Sequence, residues 1–335
     1  MQKKTVLLIG GAGAIGSYTG MELEQLGYAV DVITLEERES TAAVRYLRLQ
    51  ANLTALTEFL TGRHYTAIVD FLHHHPDRYP AMLALLAAHT EQLVFLSSYR
   101  VYADNAHPIR EDAPQLADLF SAEELLATKQ DYPWAKSMCE RIILASEHAH
   151  KVTIVRPVIA FYHARLSYIT LKAPNIVLRS GKKPLLVPEA AKNVIAGFSF
   201  SKNVGKEIAH LIGKEAAMGE AFTLSGGELL TWGEIAPAFT EALGSEFVWV
   251  DTDTFLAYTT PGDIGEYYGL HHDRLISRDM DITKVLAATG LTRAELTPTL
   301  EAIAQEASII RQDPARYTIG YRQDIEDNQD RYFKK

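Results

Sequence analysis

Thr5-Val6-Leu7-Leu8-Ile9-Gly10-Gly11-Ala12-Gly13-Ala14-Ile15-Gly16 is the stretch that decides the fold. An apolar run leads straight into glycines that satisfy two spacings at once. Gly11, Gly13 and Gly16 fit G-x-G-x-x-G; Gly10, Gly13 and Gly16 fit G-x-x-G-x-x-G. Glycine is needed where a strand turns sharply, where backbone approaches a pyrophosphate, and where the next helix packs on the strand. The first amides of that helix, at Ala14 and Ile15, then offer free N–H groups and a partial positive charge to phosphate oxygens. A lone glycine pattern is weak. This one follows an apolar strand and opens a helical pattern, which is the context that supports it. The expectation is a dinucleotide seat at the head of a Rossmann-type domain; the plain alternative is a structural turn without ligand.

The rhythm continues outward from there. Ala29–Thr34, Val44–Leu49, Ala67–Leu72, Leu93–Ser97 and Val152–Arg156 read as further strands, with helical spacing at Leu53–Leu60 and Met82–Ala88. A longer helical stretch covers Ser121–His148, interrupted near Pro133. Alternation of this kind predicts an α/β fold, a doubly wound parallel sheet with helices on both faces. After Pro157 the pattern becomes mixed. Loop signals cluster at Ala173–Pro188, a strand at Ala221–Leu224 precedes Ser225-Gly226-Gly227, and Thr231–Leu243 reads as a helix. Thr231 and Glu234 form its capping box. Later helices are expected at Ile282–Ala288 and Ala294–Ile310, followed by a loosely packed polar and aromatic tail, Arg311–Lys335. Residues 1–160 therefore read as the dinucleotide domain, to which 191–215 returns. Residues 161–190 and 216–335 read as a smaller mixed α/β substrate lobe and C-terminal tail.

Bulk properties narrow the partners. The chain has 335 residues, 47% hydrophobic, and a formal charge of −9. Phosphate-rich surfaces are bound by clustered Lys and Arg, which are scattered here, so a nucleic-acid partner is not expected. The single cysteine, Cys139, excludes an internal disulfide and suits a reducing compartment. Met1–Lys4 is polar, and the apolar runs Val6–Ile9 and Ala81–Ala88 fall far below the ~20 residues a membrane span needs. The expectation is a soluble, cytoplasmic protein without a membrane partner.

The second strand ends at Thr34, where the residue that reads the adenosine ribose is expected. Asp31 sits mid-strand and is not given that role. Thr34 with Arg38 suits a 2′-phosphate, whereas Glu36 and Glu37 repel one, so NAD and NADP both stay open. Gln50, ending the third strand, is placed to hydrogen-bond adenine or to be a plain loop residue. Tyr132-Pro-Trp-Ala-Lys136 puts a phenol and an ammonium on one helix face. In general an ammonium beside a phenol stabilises the phenolate and suits it to proton exchange with a substrate oxygen. Ser97-Ser98 ends the fifth strand, where ligands gather beyond the carboxyl edge of an open sheet.

These stretches resemble the extended short-chain dehydrogenases/reductases, in the NAD-dependent epimerase/dehydratase family. The likeness is carried by Gly10–Gly16, Phe95-Leu-Ser-Ser-Tyr-Arg-Val-Tyr102, Glu111-Asp112, Tyr132–Lys136 with Glu140, and Val155-Arg-Pro157. It continues through Gly219–Gly226 and Met280–Lys284. The resemblance implies that Tyr132 is the acid/base and that Lys136 also holds the nicotinamide ribose. It implies that Ser98 polarises the substrate, with Ser97 the alternative if the register shifts by one. Leu72, His73, Ser97 and Pro157 would line the cofactor cleft. The implied activity is an NAD(P)-dependent oxidoreductase or epimerase acting on a hydroxyl or carbonyl carbon of a sugar or nucleotide sugar, in a homodimer built through helices such as Ser121–His148. The competing reading is a non-catalytic NAD(P)-binding regulatory or RNA-associated protein of the same fold.

Departures matter equally. Tyr99 and Arg100 stand where family dehydratases carry an Asp-Glu pair, which argues against dehydration. Pro133 follows the tyrosine, Ala135 precedes the lysine, and Val158–His163 lacks the customary Gly-Pro. His73-His74-His75 and His271-His272-Asp273 invite a metal, yet adjacent histidines on extended chain point to opposite faces, and no metal site is expected. Cys139 reads as a buried small residue, and Trp232 and Trp249 as packing.

Overall fold

The computed structural model describes residues 4–104 and 107–334; Met1–Lys3 of the polar start lies outside them. Its strands are β1 (Thr5–Ile9), β2 (Ala29–Thr34), β3 (Val44–Arg48), β4 (Tyr65–Asp70), β5 (Thr90–Leu96), β6 (Val152–Pro157), β7 (Ala160–Phe161), β8 (Leu185–Pro188), β9 (Ser199–Phe200), β10 (Ala221–Leu224) and β11 (Phe247–Val250). Seven of them form one sheet in the order β10-β6-β5-β4-β1-β2-β3, and every pairing in it is parallel. Small two-stranded sheets pair β8 with β11 and β7 with β9.

The sheet follows from its residues. Val6, Leu7, Leu8 and Ile9 are all fully buried; a parallel strand covered by helices on both faces needs such a continuous apolar run. One face packs Val6, Leu8 and Val32 against Leu23, Val204 and Ile208. The other packs Leu7, Ile9 and Ile68 against Leu56, Leu83 and Ile143. Each such side chain contributes about 1.5–3 kcal/mol relative to exposure. A third core, around Tyr168, Phe198, Trp232 and Phe239, belongs to the C-terminal part. Strand order reverses at β1, with β2 on one side and β4 on the other. The crevice beyond the carboxyl ends at such a switch point is where an open sheet binds its ligand.

Three expectations are corrected. The break in the 121–148 stretch is not at Pro133: helices span Ala122–Ala127 and Asp131–Ala145, and the chain turns at Lys129 with φ 53°. Pro133 lies in the first turn of the second helix, where its missing N–H would have had no intrahelical partner. The Ala173–Pro188 region is not a loop but a helix, Ala173–Arg179, followed by β8. The tail is not loose. Its helix Gln323–Phe333 is pinned by Arg179, fully buried, which pairs with Glu326 at 2.7 Å and Asp330 at 2.9 Å. Among the described residues no helix is long and apolar enough to cross a membrane.

Candidate active site

The glycine turn leaves β1 at Gly10, whose φ of +74° is the left-handed conformation that favours glycine. Gly16 is a close-approach position: a methyl group there would lie 2.5 Å from the Gly11 Cα. Gly13 is the opposite case, since a methyl group there would meet nothing within 4 Å. It opens the helix Ala14–Gln25, which no side chain caps. The turn therefore leaves open space in front of uncapped amides at Ala14 and Ile15, a cradle that fits a pyrophosphate.

At the end of β2, Thr34 is buried and its hydroxyl accepts the Glu36 amide at 3.1 Å. Arg38 reaches back onto the turn, donating to the Ala12 carbonyl at 2.9 Å while paired with Glu36 at 2.7 Å. Its charge is thus already opposed by a carboxylate. Gln50 is exposed beyond β3. Asp31 is tied to Arg45 and to the Tyr65 hydroxyl, consistent with its exclusion from ribose reading.

β4 and β5 deliver the next group. Asp70, ending β4, accepts the Leu72 amide at 3.1 Å and lies 2.7 Å from the His74 imidazole. His73 turns outward, its ring centroid 5.3 Å from that of Tyr132. Burial and the Lys136 ammonium hold its imidazole below the usual histidine range. Lys136 is 2% exposed and donates to the carbonyls of Leu72 at 3.0 Å and Leu96 at 2.6 Å. It clamps the ends of β4 and β5 together, and two of its three N–H donors are taken.

Burial pulls the Lys136 ammonium down to about 8, against a lysine's usual 10.5, despite the opposing pull of Asp70. Between those values the unfolded chain holds the proton and the folded chain does not, so stability rises with pH across that window. Urea unfolding of wild type and Lys136→Met on either side of it should show the rise in wild type and its loss in the variant. An identical slope in both would remove Lys136 as the cause.

Ser97 and Ser98 part company. The Ser97 hydroxyl donates to Glu140 inside the protein and is 1% exposed. The Ser98 hydroxyl accepts the Arg100 amide at 3.2 Å, and its own proton has no acceptor among the described residues. Ser98 and Tyr132 line one cavity of about 330 Å³, together with Ile15, Leu96, Ser97, Pro157 and Arg100. Ile15 is in the first turn after the glycines, so this cavity opens beside the dinucleotide cradle. The structure thus brings together Ile15, Ser98, Tyr132 and Pro157, and sets Lys136 behind the wall they form.

The residues missed from the sequence are cationic. Arg100, Arg165 and Arg274 line the same cavity, with Asp273 among them. Of the three, Arg100 left a sequence signal, standing with Tyr99 where family dehydratases carry an Asp-Glu pair. Cys139 is fully buried, and burial pushes its thiol up to about 12, which leaves it inert. Among the described residues no three His, Cys, Asp or Glu side chains gather to hold a metal ion.

Fold and cleft together define a Rossmann-type α/β protein whose switch-point crevice carries a serine and a tyrosine. Residues 6–162 match the NAD dependent epimerase/dehydratase family, so the resemblance read from the sequence holds over that stretch, which takes in the glycine turn, Ser98 and Tyr132–Lys136. No curated protein matches the chain in sequence. Among solved structures it is similar to the epimerase Mth375 from Methanothermobacter thermautotrophicus (TM-score 0.71, 14% identity, 95% of each chain covered). UDP-N-acetylglucosamine 4-epimerase from Bacillus cereus superposes with TM-score 0.67 at 16% identity, over 93% of this chain and 97% of that one. The NAD complex of UDP-glucose 4-epimerase from Thermus thermophilus gives TM-score 0.66 at 16% identity, over 92% and 99%. At such identities the likeness establishes the fold.

Proposed function

We propose that this protein binds NAD in the crevice above β1 and acts as an epimerase or oxidoreductase on a hydroxyl-bearing carbon of a nucleotide sugar. One observation carries the reading: Ser98, Tyr132 and Ile15 line a single cavity beside the glycine turn. The matched family and the similar structures, two of them UDP-sugar 4-epimerases, support the substrate class. Glu36 already opposes the Arg38 charge, which favours NAD over a cofactor with a 2′-phosphate.

When bound, the nicotinamide supplies the hydride chemistry. Tyr132 Oη takes the proton of the substrate hydroxyl as its carbon is oxidised, and returns it on reduction. Ser98 Oγ, with its free proton, donates to the substrate oxygen and holds it. Lys136 keeps the ends of β4 and β5 in register and has one N–H left for a ribose hydroxyl.

Two glycine variants test the cofactor seat. Gly13→Ala should fold with stability within about 1 kcal/mol of wild type, because the new methyl meets nothing, yet lose NAD by filling the cradle. Gly16→Ala should instead cost about 1–3 kcal/mol, since its methyl meets the Gly11 backbone. Thermal unfolding and calorimetric titration with NAD and NADP read both. Undiminished NAD affinity in Gly13→Ala would place the dinucleotide elsewhere.

A further inference from the structure

A second cavity, of about 600 Å³, adjoins the one at Tyr132, and the two share Arg100, Arg165, Ser167, Asp273 and Arg274. Charge on this shared wall is unbalanced. Asp273 is buried and accepts the Tyr99 hydroxyl at 2.6 Å and Arg274 at 2.7 Å, with Arg100 at 3.5 Å and Arg278 at 3.7 Å. Burial raises the pKa of this carboxyl, but Arg274, Arg100 and Arg278 outweigh that and hold it below the usual carboxylate range. Three guanidinium groups therefore share Asp273; Glu266, in the wider cavity, acts on Arg274, Lys172 and Arg322, which leaves Arg100 with the shared Asp273 alone. Arg165 adds a further cation, exposed on the turn His163–Arg165, with no ion-pair partner among the described residues. Unbalanced charge in a low-dielectric wall attracts an anion strongly.

Position says which part of a substrate that anion belongs to. Arg100 stands two residues after Ser98, and its guanidinium carbon is 5.9 Å from the centre of the Tyr132 ring. Gln130 accepts from it at 2.9 Å, yet the side chain remains 27% exposed to the cavity. A group touching Arg100 is within a few bonds of the carbon that reacts at Ser98 and Tyr132. The diphosphate of a nucleotide sugar lies on the far side of the ring from such a group. A neutral hydroxymethyl would leave Arg100 only its share of Asp273 at 3.5 Å, whereas a carboxylate matches its planar fork.

We propose that the substrate carries a carboxylate next to the reacting carbon, and that Arg100, aided by Arg165, recognises it. This rests on the nucleotide-sugar reading above and narrows it to acidic sugars. The probes are UDP-glucuronate and UDP-glucose, which differ only at that substituent, titrated into the NAD-loaded full-length protein. Wild type should bind UDP-glucuronate about tenfold or more tightly than UDP-glucose, the ratio that one charge-assisted hydrogen-bonded pair supplies. Arg100→Gln should erase most of the ratio and leave UDP-glucose nearly unchanged. Arg165→Gln, on an exposed turn that tolerates substitution, should reduce it in part. Equal binding of the two probes to wild type overturns the proposal and leaves the nucleotide-sugar reading standing. Equal weakening of both probes by Arg100→Gln also overturns it, because the arginine would then be reading the diphosphate. If NAD binds and neither sugar nucleotide does, the substrate class fails, and the carboxylate proposal with it.

Discussion

Tyr132→Phe is expected to lower kcat about a thousandfold with NAD affinity unchanged. General acid–base groups contribute roughly 10²–10⁴, and the phenolic oxygen is the one atom removed. Tyr132 stands in the first turn of the helix Asp131–Ala145, half-buried, with its ring against His73 and Arg100. Its hydroxyl has no hydrogen-bond partner among the described residues, so its loss should shift stability by no more than about 0.5 kcal/mol. That separates chemistry from folding cleanly. Ser98→Ala is the less tidy companion. Losing one donor to the reacting oxygen costs about 10²–10³ in rate, but the Ser98 hydroxyl also accepts the Arg100 amide, and losing that cap costs about 1 kcal/mol. Turnover of an identified substrate, alongside calorimetric NAD binding, measures both. Wild-type turnover by Tyr132→Phe would remove the tyrosine from the chemistry.

The half of the fold that holds the cofactor cradle was legible because its signals are local. An apolar strand followed by spaced glycines, or a capping box such as Thr231 with Glu234, is a pattern of neighbouring residues, and the helix Trp232–Leu243 starts where that box places it. The mistakes have physical causes. Pro174 looks like a loop residue, but in the first turn of Ala173–Arg179 it is favourable there. The terminal helix Gln323–Phe333 carries only Ile325, Tyr332 and Phe333 as large apolar residues, a sparse pattern that was read as tail, while it docks through Glu326 and Asp330 on buried Arg179 and sets Tyr332 against the C-terminal core. At the candidate site, motif and register pointed to Ser98 and Tyr132, which the fold places on one cavity. The arginines around them come from the turns Tyr99–Val101 and His163–Arg165 and from the 270–274 turn, far apart in the chain. No spacing rule links them; only folding brings them to one wall. The same holds for the partition of Ser97 from Ser98, which depends on where Glu140 lies.

That partition leads to the largest expected loss of stability. Arg156 on β6 makes a bidentate pair with Glu140, Nε to Oε1 at 3.0 Å and Nη2 to Oε2 at 2.7 Å, with side chains 6% and 1% exposed. The rest of each group is satisfied too. Arg156 donates to the Tyr102 hydroxyl at 2.9 Å and the Glu111 carbonyl at 2.8 Å, while Glu140 accepts from Gln115 at 2.7 Å and from Ser97. Burial by itself would lower the guanidinium pKa, and Glu140 and Tyr102 reverse that and raise it. Glu140→Gln or Arg156→Met each leaves an unpaired buried charge, and each should cost about 3–5 kcal/mol. Against a whole-protein stability of about 5–15 kcal/mol, that is a large fraction. The double variant should be destabilised by clearly less than the sum, because no charge then lies unpaired. Urea unfolding of the four proteins measures the coupling; additive costs would assign the effect to packing rather than pairing. Glu140 also sits on the helix that carries Tyr132, and through Ser97 it holds the strand end that carries Ser98. Arg156→Met should therefore lower kcat even where the protein remains folded, since the two candidate catalytic groups reach one cavity through this ion pair.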